Sequence, residues 1–489
     1  MKKNLLLSAY NSEDFRRRGH RLVDELADHL AQSISANSEK VIDWKLPVEE
    51  YEFWSDFLQN GKEELLFTEI LKHSIHVHHP KYIGHQVTAP APITALSGML
   101  SALLNNGMAV YEMGMAPTAV ERIITDKLCQ KIGYAEDSRG FLTSGGTLAN
   151  LTALLAARKA KVAHDIWTEG NSSSLGIMVS EEAHYCADRA ARIMGLGEKG
   201  IVKIPTTQDF KMNTLLLEEA FEKAKSSGII IFAIIGSAPS TATGIFDDLE
   251  AIASFSEKHN LWFHVDGAHG GAGVFSQKYK STLNGIEKAD SVVIDGHKMM
   301  MMPAITTALL FKDGAHSYAT FSQKADYLLG ESEGEDWYNL AKRTFECTKT
   351  MMSLHWFSLF KTYGEGIFDE YVTNLYDLGR EFAAIITNDT DFELAVEPNS
   401  NIVCFRFIEP SFNKEQTNKL NLKIRQKLLE NGEFYVVQTT LRAIFYLRTT
   451  IMNPFTTAAH LRELLEKIRE IAKQYSPPDT ALRVLSKRL

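Results

Sequence analysis

Leu22, Leu26 and Leu30 recur every fourth residue through FRRRGHRLVDELADHL, the spacing of one helical stripe, before the turn-rich SANSEK. The polar positions around that stripe leave too little apolar surface for a core. Residues 1–79 are therefore expected to form a helical arm that packs on another domain or another subunit. From residue 80 to about 364 the pattern changes: short apolar runs, GIMVS, GIIIFAII, LWFHVD and SVVID, alternate with amphipathic stretches. That alternation predicts an α/β domain, a parallel sheet covered by helices. In FDDLEAIASFSEKHN, Asp247 is expected to cap the first helical turn with Glu250 at the third position, and Leu249, Ile252 and Ala253 to face inward. Past Gly364 and Gly366 the runs VCFRF, YVVQ and IFYLRTT read as strands, and TNKLNLKIRQKLLENG and AAHLRELLEKIREIAKQY as helices. Residues 365–489 are accordingly expected to form a small α+β domain.

Composition narrows the function. The 489 residues are 45% hydrophobic and 23% charged, which suits a folded chain of two or three domains and excludes wholesale disorder or a collagen-like repeat. Lys plus Arg total 52 against 61 Asp plus Glu, so no basic field exists for a phosphate backbone and nucleic-acid binding is not expected. Cys129, Cys186, Cys347 and Cys404 form no CxxC pair, which argues against a disulfide frame or a cysteine metal knuckle. The start, MKKNLLLSAY, runs at once into polar NSEDFRRR, too short for a signal peptide's apolar stretch, and predicts a cytoplasmic protein. The longest uncharged stretch, residues 86–111, carries Pro90, Pro92, Asn105 and Asn106, so a buried helix with its loops is expected there and no membrane span.

Three motifs fall where an α/β sheet places its ligand, beyond the carboxyl ends of strands. Ser144, Gly145, Gly146 and Thr147 open the helix of TSGGTLANLTALLAARKA, where free backbone N–H groups and hydroxyls make a pocket for a phosphate. Asp266 ends the strand of HVDGAHGGAGVF, where small residues let a flat group approach and a carboxylate can hold a protonated ring nitrogen. Lys298, in DSVVIDGHKMMMMP, follows a strand with His297 beside it, and burial in a cleft lowers a lysine pKa toward that of a nucleophile. Each has an ordinary reading too: a capped glycine turn, a turn aspartate, a solvated lysine. Together, phosphate cup, ring-nitrogen carboxylate and imine lysine are what pyridoxal 5′-phosphate requires.

With these motifs in this order the sequence resembles the pyridoxal-phosphate-dependent group II amino acid decarboxylases, which act on glutamate, aromatic amino acids, cysteine sulfinate or diaminobutyrate. The resemblance runs from about residue 78 to about residue 460, through HHPKYIGH, TSGGTLANLTALLAAR, SEEAHYCADRAARIMGLG, HVDGAHGGA, DGHK and LRTTIMNPFTT. It implies an aminotransferase-like fold (fold type I), with a central, mostly parallel sheet of the seven-stranded type, helices on both faces and a small α+β C-terminal domain. It implies a homodimer with active sites at the interface, the arm supplying dimer contacts, and decarboxylation of an L-amino acid through a Lys298 Schiff base and a quinonoid intermediate. On the same ground Asp266 pairs with the ring nitrogen, Ala268 packs on the ring, His184 stacks over its face and Thr241 lines the pocket. Ser144 to Thr147 and His297 contact the phosphate. The acid for the α-carbon is a tyrosine on a loop reaching the neighbouring subunit, Tyr338 or Tyr327, with Tyr338 favoured.

Substrate preference stays open: diaminobutyrate, aspartate or cysteine sulfinate, glutamate and aromatic amino acids all fit. Arg448 sits where acidic-substrate members carry an arginine and offers a bidentate fork to a carboxylate, or else a structural ion pair. His85 is expected to border the substrate pocket. Three positions depart from the family pattern: His269 stands where an aromatic is common, and Pro239 and Ser240 replace Gly-Thr. The histidines at 73, 76, 78, 79 and 85 lack metal-ligand spacing, so no metal is expected, and Met299 to Met302 are expected to pack around the lysine loop. A carbon–carbon lyase, a decarboxylation-linked oxidative deaminase and a catalytically silent binding homologue are the competing readings. The intact Lys298 and Asp266 speak against the last.

Overall fold

The structure, a computed structural model, describes residues 4–36, 40–321 and 336–475. By contacts the chain falls into two compact units: residues 86–384 with 396–403, and residues 1–85 with 385–395 and 404–489.

The first of these units is built on a seven-stranded sheet: β1 (Arg139–Thr143), β2 (Leu175–Ser180), β3 (Ile201–Ile204), β4 (Ile230–Ser237), β5 (Trp262–Asp266), β6 (Ser291–Asp295) and β7 (Thr307–Phe311). Their spatial order is β1-β7-β6-β5-β4-β2-β3. Strands β3, β2, β4, β5 and β6 are parallel, and only β7 runs against its neighbours. The apolar runs of the sequence are the strands covered on both faces: every residue of β2, β6 and β7 is buried. Strand β3 is a short edge strand that keeps Lys203 exposed, a pattern too brief and polar to announce itself.

The helix Gly146–Lys161 lies on one face. Its inward side is mostly small, Ala149, Ala153, Ala156 and Ala157, so its backbone packs close to the β strands, in a core that includes Phe141, Val179, Trp262 and Val293. On the opposite face the helix Leu249–Lys258 buries Leu249, Ile252 and Ala253, as its sequence predicts. Its cap is one residue later than expected. The Asp248 carboxylate accepts from Ala251 N at 3.0 Å, while Asp247 is drawn inside. There the Asp247 carboxylate accepts from Met212 N at 2.7 Å and Ser237 N at 2.8 Å.

The second unit carries a four-stranded sheet of β8 (Phe392–Leu394), β9 (Ile402–Phe407), β10 (Val437–Leu441) and β11 (Ile444–Thr450), in the order β10-β11-β9-β8. Helices Lys414–Asn431 and Ala458–Lys473 cover it, the latter burying Leu461, Leu464, Leu465 and Ile468. The long arm helix Ser12–Ile34 buries only Ser33, and Pro47–Asn60 buries nothing, in keeping with an arm that has no core of its own. Among the described residues no helix is long and apolar enough to cross a membrane.

Candidate active site

Loops at the carboxyl ends of β1, β2, β4, β5 and β6 converge on a cavity of about 270 Å³ within the large-sheet unit. The turn after β1 brings Ser144, Gly145, Gly146 and Thr147, and β5 brings Asp266 and Ala268. The segment after β6 brings Asp295, His297 and Lys298, and the loops after β2 and β4 bring His184 and Thr241. Parallel strands end on one side of a sheet, so residues more than a hundred positions apart meet there.

Lys298 is the amine of the cavity. Burial alone would depress it, but an Asp295 oxygen 3.0 Å from Nζ, with Asp266 nearby, outweighs burial and holds its pKa above the ordinary lysine value. The depressed lysine expected from the sequence is thus corrected: the cleft that desolvates the amine also supplies carboxylates. Asp295 also accepts from Thr307 Oγ1 at 2.5 Å.

Asp266 accepts from Ala268 N at 3.2 Å, and the Cys186 thiol approaches its other oxygen at 3.8 Å. Burial, reinforced by Asp266, drives the Cys186 pKa far up, so the thiol stays protonated. His184 is the N-cap of the helix Tyr185–Ile193, its Nδ1 accepting from Cys186 N at 3.3 Å. Burial lowers its pKa, with Lys298 adding to the effect and Asp266 opposing it, so its ring is neutral near pH 7. His184, Cys186 and Asp266 also hold their ligand atoms within 4.8 Å of one another, the group of three metal-capable side chains found among the described residues. The histidines at 73 to 85 belong to the other compact unit, where His73 meets Glu50 at 2.8 Å and His76 edges onto His29.

The cup is shaped by two glycines. Gly145 has φ +96°, and a Cβ on Gly146 would stand 3.1 Å from an Asp295 oxygen, so the turn tolerates no bulk. Such a turn, opening a helix with hydroxyls at either side, suits a phosphate ester, and Asp266 across the cavity suits a protonated pyridine nitrogen. Pyridoxal phosphate therefore fits the donor set. His297 borders the cup, its Nδ1 3.0 Å from Thr306 O and 3.3 Å from Thr306 N.

Sequence reading missed four contributors. Asp295 lay in plain view inside DGHK. Asn150 lines the cavity one helical turn past the cup, on a buried helix face where an asparagine is out of place. His264 backs that asparagine from a strand position where only apolar residues are expected. Glu346 accepts from Thr143 Oγ1 at 2.8 Å and Ser144 N at 3.0 Å, and no local pattern announces it.

Other expected residues lie elsewhere. Tyr338 does not line this cavity; its ring stacks edge-on against Tyr111, centroids 5.8 Å apart. Tyr327 falls outside the described residues. His85 and Arg448 belong to the small-sheet unit, where His85 sits 5.8 Å from the Tyr435 ring. His269 is buried and bonds Asn401 at 2.8 Å, and Pro239 lines the cavity wall.

The comparisons agree with this chemistry. The family model described as the pyridoxal-dependent decarboxylase conserved domain matches residues 40–408. The aromatic-L-amino-acid decarboxylase of Bacillus atrophaeus is 25% identical over 487 residues, 97% of this chain and 98% of that protein. An acidic amino acid decarboxylase of Xenopus tropicalis is 28% identical over 466 residues, 92% of this chain and 91% of that protein. Among solved structures, the glutamate decarboxylase domain of diaminobutyrate-pyruvate transaminase and L-2,4-diaminobutyrate decarboxylase from Vibrio parahaemolyticus superposes with a TM-score of 0.81 at 28% identity. The match covers 92% of this chain and 96% of that one. Matched by the conserved domain over most of its length, and carrying a cavity of this make-up, the chain belongs to the pyridoxal-dependent decarboxylases and is a pyridoxal-phosphate-dependent amino acid carboxy-lyase.

Proposed function

We propose that the chain converts an L-amino acid to the corresponding amine and carbon dioxide at this cavity, as a homodimer. The observation that carries the reading is the convergence of Lys298, Asp266 and the 144–147 cup on one cavity of about 270 Å³. Bound pyridoxal phosphate supplies an electron sink for the charge left on the α-carbon.

The protein's own groups divide the work. Ser144 to Thr147 and His297 fix the phosphate end, and Asp266 holds a proton on the ring nitrogen at the other. Lys298 Nζ is the attachment point. His184, neutral, covers the ring face as a stacking surface and adds no charge that would oppose loss of the carboxylate. Ala268 and Thr241 form walls. Tyr338, braced on Tyr111, is our candidate for the acid that delivers a proton to the α-carbon in the neighbouring subunit. A dimer is supported by the helix Pro92–Leu104, which leaves Leu96, Met99, Leu100, Leu103 and Leu104 exposed as one apolar surface. A cytoplasmic setting is supported by four free cysteines.

For the substrate we propose a carboxylate contact to Arg448. That side chain is 6% exposed, and its Nε and Nη2 have no hydrogen-bond partner among the described residues. A buried guanidinium with an open fork is receptive to a carboxylate. Neighbouring His85 is lowered by burial and by Arg448 and Arg425, so it adds a neutral donor or acceptor.

Borohydride reduction of the cofactor-loaded protein followed by peptide mapping is expected to find a pyridoxyl group on Lys298. A panel of L-amino acids is expected to give amine in step with carbon dioxide. An unmodified Lys298 overturns the reading, and aldehyde with peroxide in place of amine overturns simple decarboxylation. Arg448→Lys is expected to raise KM for the preferred substrate more than it lowers kcat; equal loss for acidic and neutral substrates removes the carboxylate contact.

A further inference from the structure

We infer that His264 is a positioning residue for the phosphate cup, acting through a buried hydrogen-bond relay that admits one proton arrangement. The inference rests on the reading that the cup takes the cofactor's phosphate. Strand β5 alternates its side chains, so Trp262, His264 and Asp266 share the face covered by the helix Gly146–Lys161. The parallel register of β5 and β6 sets Ser291 beside His264.

The chain of side-chain contacts is short, and His264 also bonds the Ser291 backbone. Trp262 Nε1 donates to Ser291 Oγ at 2.8 Å, and Ser291 Oγ meets His264 Nδ1 at 2.7 Å. His264 Nε2 meets Asn150 Oδ1 at 2.7 Å, and Asn150 Nδ2 donates to Gly146 O at 2.8 Å. Trp262, His264 and Ser291 are fully buried and Asn150 nearly so.

Both ends are chemically fixed. A peptide carbonyl only accepts, so Asn150 must turn its amide nitrogen to Gly146 and its oxygen to His264. Nε2 of His264 must then carry a proton. Burial pushes the His264 pKa down to about 4, with Asp266 opposing, so the ring holds one proton and Nδ1 is bare. Nδ1 accepts from the Ser291 hydroxyl, whose oxygen takes the indole N–H, a group that only donates. With a single ring proton, turning Asn150 round would set its amide N–H against the Nε2–H, and moving the proton to Nδ1 would leave Nε2 and the Asn150 oxygen as two facing acceptors.

The consequence is geometric. Gly146 opens the cup and Asp266 ends the strand that carries His264, so the relay ties the phosphate end of the cavity to the ring-nitrogen end. His264 thereby sets the span that a rigid cofactor must bridge.

Two substitutions separate this role from simple packing. A glutamine amide reproduces the Nε2 position and keeps the donor to Asn150; an asparagine reproduces Nδ1 and keeps only Ser291. Both are buried amides that cost stability. The loss of one buried hydrogen bond is worth about tenfold in affinity, so His264→Asn is expected to weaken pyridoxal phosphate binding to the apoprotein by about that factor. His264→Gln is expected to stay within about threefold of the parent, with the two variants melting at similar temperatures. Equal cofactor affinity in the two variants overturns the inference. A measurement on the unaltered protein stands independently of how the variants fold: ¹⁵N-histidine spectra are expected to show His264 protonated at Nε2 alone from pH 5.5 to 8.5, with and without cofactor. A proton on Nδ1 overturns it equally. Failure of the unaltered protein to take up pyridoxal phosphate instead overturns the cofactor reading beneath it, so the two failures are told apart.

Discussion

The Lys298 amine lies 3.0 Å from a carboxylate oxygen of Asp295, three residues back along the same turn. Asp295 is buried and also takes the Thr307 hydroxyl, so it is a fixed negative charge placed under the amine. Burial and Asp295 act in opposite directions on Lys298, and the carboxylate prevails. On the proposed reading, the amine that captures the cofactor's aldehyde is thus stored as an ammonium, and its proton has to leave before capture.

Asp295→Asn removes that charge while leaving the cavity volume unchanged. With Asp266 the carboxylate left to oppose burial, the midpoint of the pH profile for cofactor capture by the apoprotein is expected to fall by about one unit or more. Stopped-flow absorbance with pyridoxal as well as pyridoxal phosphate separates this effect from weaker repulsion of the phosphate, because pyridoxal has none. An unchanged midpoint for both aldehydes removes Asp295 from control of Lys298.

One Glu346 oxygen accepts from the Thr143 hydroxyl and the Ser144 amide at the edge of the cup, and the other is buried without a hydrogen-bond partner among the described residues. Burial would raise its pKa, but the hydrogen bonds it accepts prevail and hold it below the ordinary value, so it is charged at neutral pH. With the cofactor's phosphate in the cup, as proposed above, a carboxylate there would repel the dianion. Glu346→Gln keeps an acceptor for Ser144 and is expected to lower the dissociation constant for pyridoxal phosphate by about three- to tenfold, a coupling of about 1 kcal/mol. The gain should shrink in high salt. Weaker binding in Glu346→Gln at every salt concentration rules out the repulsion.

What the sequence makes legible follows from where each signal resides. Strand β4 is apolar on both faces because helices cover both, so the run IIIFAII announces it. The cap of the helix Leu249–Lys258 slips by one residue because two adjacent aspartates compete, and burial, which a local pattern does not carry, chooses between them. The cup, Asp266 and Lys298 are readable because each sits in its own strand-to-turn motif. Asn150, His264 and Glu346 are not, since Asn150 meets His264 across 114 positions and Ser144 meets Glu346 across 202, pairings that depend on the sheet order.

Asp247 carries a pH dependence whose sign can be worked out. Burial raises its pKa from 3.8 to about 6 despite two backbone donors. The folded state therefore binds the proton more tightly than the unfolded chain. Its contribution to stability is fully present below the unfolded value and is lost as pH rises through the folded one. Asp247→Asn does not titrate, so parent minus variant stability is expected to fall between about pH 4 and 6 by up to about 3 kcal/mol and then stay flat. Denaturant unfolding at pH 4.5, 5.5 and 7 checks it; a difference that grows with pH has the wrong sign for a buried, destabilised carboxylate.

Glu121 and Lys349 form an ion pair at 2.5 Å with side chains 1% and 2% exposed. Glu121 also accepts from Leu142 N at 2.9 Å, and Lys349 donates to Leu142 O, so the pair holds both polar groups of one peptide position in β1, just before Thr143 and Ser144. Burial depresses the Lys349 amine, with Glu121 opposing, which marks the pair as costly to form. Lys349→Met strands a buried carboxylate and is expected to destabilise the protein by about 3–5 kcal/mol, whereas adding Glu121→Leu should recover most of that. If the pair serves stability alone, the double variant should also bind pyridoxal phosphate like the parent. Because Leu142 then loses both partners at the strand that delivers the cup, the expected outcome is incomplete recovery of melting, with cofactor affinity still reduced by about tenfold or more. Parental affinity in the double variant would show that β1 needs no such clamp to place Ser144.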